Sequence, residues 1–278
     1  MTGHPGFGEL LARLLNHRRK DVAWLFSTSG VPETELRAVV SGTPPRAFQL
    51  DALASALGLH AADLHVIADA PAPEPLTPRD PAAGAEVVQL VQVSMALPSH
   101  QRANVQRLVD EQPPEREEHP CASPLSYDQH AAGFGAMLAN LLCANRNLHS
   151  VTAAAKILAL LTEGRVYRSA ATISGIGRGR VPLTPDLVAG FATALGIPVG
   201  VLATITGVEL RDVPRPGDEL AAEMAGLLWN CRRLTTTQVE RVRDAAESML
   251  VPVPDDAPSE DWNRVRHHHG RWWGAPRR

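Results

Sequence analysis

Leu10, Leu11, Leu14 and Leu15 stand at i, i+1, i+4 and i+5, the spacing of one buried helical face. Val22, Leu25 and Phe26 make a second such face. Gly30 then breaks the chain, and Pro32 is a good first helical position. Leu36, Val39 and Val40 form a third face, ended by Gly42. Leu50, Leu53 and Leu57 form a fourth, ended by Gly58 in a left-handed cap, and Leu64 and Ile67 predict a fifth short helix. No segment alternates with the period of two that a half-buried strand requires.

The pattern recurs. GFGELLARLL opens at Gly6 and GFGAMLANLL at Gly133. LDALASALGL at 50–59 is answered by LVAGFATALGI at 187–197, and LPSHQRANVQRLVD at 97–110 by LTTTQVERVRDAAE at 234–247. Three matches in one order point to a duplicated unit. The offset grows from 127 residues at the openings to 137 or 138 later, which places about ten extra residues of the second copy between Asn145 and Arg168. Pro-rich, charged stretches cannot continue helices and read as linkers. The expected organisation is a helix-turn-helix bundle over 1–70, a linker over 71–84 and a helical extension over 85–112. A second linker over 113–130 leads to a second bundle over 131–210, a joint at 211–217 and an extension over 218–250. A basic tail over 251–278 is expected to be unstructured.

Composition narrows the class. Of 278 residues, 44% are hydrophobic and only 4% aromatic, with Ala and Leu dominant, which favours small helices over a β-sandwich. The net charge of −3 gives the whole chain no basic field, so any nucleic-acid role must come from a local patch. Cys121, Cys143 and Cys231 are odd in number and far apart, with no C-x-x-C, which predicts inert buried thiols in a reducing cytoplasm. MTGHPGFGELL lacks the plan of a signal peptide, and no run of 18 apolar residues predicts a membrane span.

The stretch SAATISGIGRGRVPLTPDLVAGFATALGIPVGVL, with Ile173 and Ile176 on one face, then Arg178-Gly179-Arg180 and a helix closing on Ala-Leu-Gly, resembles the second half of the Xre/Cro-type (lambda-repressor-like) DNA-binding domain. GVPETELRAVVSGTPP in the first copy resembles its turn and third helix, and the blocks at 97–110 and 234–247 resemble a helix that often follows such domains. The resemblance covers about two-thirds of the chain. It implies an all-α protein of two such bundles in tandem that binds double-stranded DNA, sequence-specifically, as a bacterial transcriptional regulator. The third helix would enter the major groove. Arg178 and Arg180 would clamp phosphates, with Gly177 and Gly179 letting the chain come close, and Arg165 and Arg168 would stand at the helix start. Ser169, Ala170, Thr172 and Ser174 would face base edges. The first-copy candidates for DNA contact are Thr34, Arg37 and Arg46.

The copies differ in charge. Residues 6–70 hold six basic and seven acidic side chains, with Glu33 and Glu35 at the start of the third helix, whereas 133–210 hold six basic and three acidic. The second copy is therefore the better DNA candidate. The first is a partner domain or a weak binder, and a protein-interaction scaffold on degenerate helix-turn-helix domains is the alternative. Val105, Leu108, Val242 and Ala245 on the trailing helices would pack the two copies together or form a homodimer seam. No catalytic constellation, P-loop or H-E-x-x-H is present, so neither enzyme activity nor a cofactor is expected. His267, His268 and His269 are consecutive on a tail and lack the fixed geometry of a metal site. Trp229 beside Cys231 reads as helix packing, and the expected location is the cytoplasm.

Overall fold

The computed structural model describes residues 5–113, 125–210, 219–253, 262–266 and 272–276. Among them the architecture is all-α, with one small sheet. The first run of helices is α1 (Phe7–His17), α2 (Val22–Ser29), α3 (Glu33–Val40), α4 (Ala47–Ala56) and α5 (Ala61–Ile67), followed by α6 (Gly84–Met95) and α7 (Ser99–Asp110). The second run is α8 (Gln129–Ala139), prolonged by a π turn (Asn140–Ala144), then α9 (Val151–Leu161), α10 (Ala170–Gly177), α11 (Pro185–Leu195) and α12 (Val199–Thr206). It is followed by α13 (Glu219–Asn230) and α14 (Thr236–Glu247). The apolar faces anticipated for α1 to α5 are buried at Leu10, Leu14, Leu25, Leu36, Leu50, Leu53 and Leu64, but Phe26, placed on the face of α2, is 45% exposed, and Val22 is only half-buried. Pro32 sits one residue earlier than anticipated, at the N-cap of α3.

Matching contacts recur in the two runs. A Cβ on Gly8 would lie 2.2 Å from the Val39 carbonyl oxygen, and one on Gly135 would lie 2.3 Å from that of Ile176. In each run a glycine thus lets the first helix press its backbone onto the end of the third. Arg18 donates to the carbonyl of Leu57 at 2.5 Å, and Arg146 donates to that of Leu195 at 3.0 Å, each acceptor preceding the left-handed glycine that ends a fourth helix. The π turn accounts for one extra residue of the second run. Others lie in α9, eleven residues against eight in α2, and in a longer turn at 162–169.

The two runs share one core and dock through equivalent faces. α1 packs on α12, and α5 packs on the π turn that ends the first helix of the second run. The first helix of each run therefore meets the fifth of the other, the reciprocal arrangement of a two-fold dimer. The extensions interlock in the same way. α6 and α7 both pack on α13 and α14, with Arg102 of α7 paired to Glu223 of α13 and Arg243 of α14 paired to Glu86 of α6. Glu86 and Glu223 occupy equivalent positions, 137 residues apart. Val105 and Val242 pack within the chain, buried in this bundle, while Leu108 and Ala245 stay half-buried.

Two expectations about connections are corrected. Residues 71–84 do not behave as a free linker. Asp80 is buried and accepts from the backbone of Thr236 at 2.7 Å, the Asp80 amide donates to Asn147 at 3.2 Å, and the Arg79 amide donates to the Arg232 carbonyl at 2.8 Å. Buried backbone needs partners, and here the second run supplies them. The tail is not wholly unstructured either. Val251–Pro252, Trp262–Arg266 and Trp272–Pro276 form strands β1, β2 and β3 of an antiparallel sheet in the order β1-β3-β2, and β2 packs on α6. The joint at 211–217, most of the second linker and the three consecutive histidines lie outside the described residues, as does Cys121.

Candidate nucleic-acid interface

α10 begins where Ser169 caps it. The Ser169 hydroxyl accepts from the Thr172 amide at 3.2 Å and shares a hydrogen bond with the Thr172 hydroxyl at 3.0 Å. Thr162 builds the preceding turn, donating to the Leu158 carbonyl at 2.6 Å and accepting from the Val166 amide at 3.0 Å. Glu163 and Gly164 adopt positive φ there. The apolar face of α10, Ile173 and Ile176, is buried against α8 and α9, leaving Ala171 exposed and Thr172 and Ser174 half-buried on the outer side. Past Gly179, which is left-handed, Val181 folds back over Gly175, and Thr184 caps α11 with Pro185 in its first turn.

Four guanidinium groups flank this helix. Arg165 and Arg168 precede it, each bonded to a neighbouring backbone carbonyl, Arg165 to Thr162 at 3.1 Å and Arg168 to Tyr167 at 2.9 Å. Arg178 and Arg180 follow it on an exposed turn. Among the described residues none of the four has a carboxylate partner. Tyr167 is 76% exposed between the first two. Charge-assisted bonds from such groups to an anion displace only water.

The equivalent helix of the first run is furnished differently. Thr34 is exposed, but Arg37 is paired with Glu33 at 2.5 Å. Arg46 is paired with Glu35 and lies over the Phe48 ring at 4.6 Å, and Gln49 donates to the same carboxylate at 2.5 Å. The hydrogen bond from Arg46 holds the Glu35 carboxyl below its usual range, with burial opposing and the Gln49 hydrogen bond adding to the effect. Cations of α3 are thus neutralised by neighbours, and those of α10 are not.

Some residues serve in ways other than those anticipated. The Ser169 and Thr172 hydroxyls are engaged within the helix start, which leaves Ser174 and the Thr172 methyl for outward contact. Gly177 makes room for the Tyr127 ring, 2.7 Å from where its Cβ would stand, and Gly179 packs on Ala132, so both glycines answer a demand inside the protein. Arg146, counted among the cations of the second copy, is completely buried. It grips Asp63 of α5 through both terminal nitrogens, at 2.6 and 2.8 Å.

Sequence reading missed this buried junction. Asp63 also accepts from Asn145 at 2.6 Å, and Arg232 donates to the Asn145 carbonyl at 2.6 Å and to its side chain at 2.7 Å. Trp229 carries the Arg146 and Arg232 guanidinium groups over its ring at 4.7 and 4.2 Å and stacks with His60 at 3.6 Å. Burial pushes Arg232 down to about 10, with Arg146 adding to the effect and Asp63 opposing it. The run NRN at 145–147, among apolar residues and just after a helix, was the available signal. Cys143 and Cys231 are buried as anticipated, and burial raises both thiols to about 12. Among the described residues no group of side chains is arranged to hold a metal, and no single helix is long and apolar enough to cross a membrane.

Comparison with protein-family models, with curated proteins and with solved structures yields no match.

Proposed function

We propose that this chain binds double-stranded DNA through its second run of helices, as a regulator of the lambda-repressor-like kind, with α10 set against the major groove. The observation that carries the reading is the set of four arginines at the two ends of α10 that have no carboxylate partner among the described residues, whereas Arg37 and Arg46 beside α3 are each paired with a glutamate. Arg165 and Arg168 would address one phosphate strand and Arg178 and Arg180 the other end of the helix, with Ser174 and the Thr172 methyl toward base edges. Because Arg37 and Arg46 beside α3 are paired with carboxylates and, among the described residues, the arginines flanking α10 are not, a single chain addresses one half-site rather than two about 34 Å apart.

The test is titration of the full chain on labelled duplex DNA at several salt concentrations. Four phosphate contacts predict a slope of log K against log salt of about −3 to −4. Arg178→Glu with Arg180→Glu is expected to shrink that slope by about one per residue, whereas Arg37→Glu with Arg46→Glu leaves it unchanged. A slope near zero in the unaltered protein rejects the reading.

One feature favours a second role for the first run. Phe26 and Phe48 are 45% and 53% exposed on a surface whose charges are paired, which suits a protein partner better than a phosphate backbone. If the DNA slope is flat and the chain still captures a partner that Phe48→Ser abolishes, the scaffold reading replaces the first.

A further inference from the structure

A cleft of about 670 Å³ opens between α7 and α13, floored by His60 of the first run and by Leu195 and Gly196 of the second. Its size is that of a small-molecule site, and it lies where all four parts of the chain meet. Small residues make the space. Ala103 faces it from α7, Ala222 and Gly226 from α13, and a Cβ added at Gly226 would meet nothing within 4 Å. A glycine inside a helix costs about 1 kcal/mol relative to alanine, and here neither close packing nor a left-handed backbone requires it.

The chemistry of the walls limits what could enter. Arg102 is bound to Glu223 and to the Leu97 carbonyl, and Asp110 is bound to Arg233 at 3.0 Å and to Asn230 at 3.2 Å. Each charge at the rim already has its counter-charge. Burial holds the His60 imidazole below its usual range, with Asp63 opposing and Arg146 and Arg232 adding to the effect, so the floor brings no cation at neutral pH. A charged ligand would have to leave water without compensation, which is costly. One polar group in the wall lacks a partner: the side-chain amide nitrogen of Gln106 is buried without a hydrogen bond. A rotation of that amide would give it an acceptor carried by a ligand.

We infer that the cleft between α7 and α13 is a binding site for a neutral, largely apolar small molecule bearing one carbonyl-type acceptor. The site does not depend on DNA binding, so its test and the DNA titration fail separately. Occupancy would lean on Leu195, the last residue of α11, whose first turn adjoins the loop of Arg178 and Arg180.

The probe is prodan, a neutral aromatic ketone whose fluorescence moves to the blue when it leaves water, with the anionic dye 8-anilinonaphthalene-1-sulfonate as the charged counterpart. Prodan is expected to bind the full chain saturably, one per chain, and about tenfold or more tightly than the anion. Gly226→Leu fills the cleft from one wall and Ala103→Leu from the other. Each is expected to weaken prodan by about tenfold while the far-ultraviolet dichroism stays that of the unaltered protein. Absence of saturable binding overturns the inference. So does prodan binding that survives both substitutions, or a preference for the anion.

Discussion

Asp63 and Arg146 form an ion pair from which water is wholly excluded, and each side chain also bonds to neutral groups, Asp63 to Asn145 and Arg146 to the Leu195 carbonyl. Such a pair contributes little net stability compared with apolar residues of the same shape, but removing one member strands the other. Asp63→Ala is therefore expected to lower the unfolding free energy by about 3–5 kcal/mol in urea denaturation. Asp63→Leu combined with Arg146→Met should recover most of that loss. A single-variant loss below about 1 kcal/mol would mean that water reaches Arg146. The pair was not legible in the sequence, because its members are 83 residues apart and each looks ordinary in its own window. Arg146 reads there as one more surface cation. The paired state of Arg37 was within reach, since Glu33 stands one helical turn before it.

At the scale of elements, periodicity carried most of the information. The faces of α1 to α5 and the left-handed ends at Gly30, Gly42 and Gly58 follow from residue type alone, because local sterics and the 3.6-residue repeat act within one turn. Thr235 and Gln238 form a capping box at the start of α14. What escaped was the purpose of the glycines. Gly8 and Gly135 permit helix-on-helix contact, Gly177 shelters Tyr127, and Gly226 faces open space. These environments separate three similar substitutions. Gly8→Ala and Gly135→Ala place a methyl group against a carbonyl oxygen and are expected to cost about 2 kcal/mol or more, since the backbone cannot give way as a side chain can. Gly226→Ala should instead raise stability by about 1 kcal/mol. Thermal melts of the three variants check the ordering.

The whole molecule is two matching runs of helices closed on each other. One core runs through both copies, the segment 71–84 is bonded into the second, and the extensions interlock. Unfolding should accordingly be a single transition, with ellipticity and tryptophan fluorescence coinciding in urea. Two separated transitions would show that the copies are independent domains. Reciprocal docking of first and fifth helices gives α3 and α10 corresponding places, and the surfaces around them differ in the longer turn at 162–169, which carries Arg165 and Arg168, and in the pairing of their charges. The proposed DNA contact follows from that difference.

The amino-acid sequence by itself determined the all-α class, the recurring sequence blocks, most of the helical faces and the excess of arginine around α10, since all of these are set by neighbours within a few residues or by comparison of the chain with itself. Only the tertiary structure decided which arginines face solvent and which are buried, that 71–84 is docked, that part of the tail is strand, and that a cleft opens beneath α7. The physical reason is range. Periodicity and capping act across one or two turns, whereas the pairing of a charge depends on which distant residue the folded chain brings within about 4 Å of it.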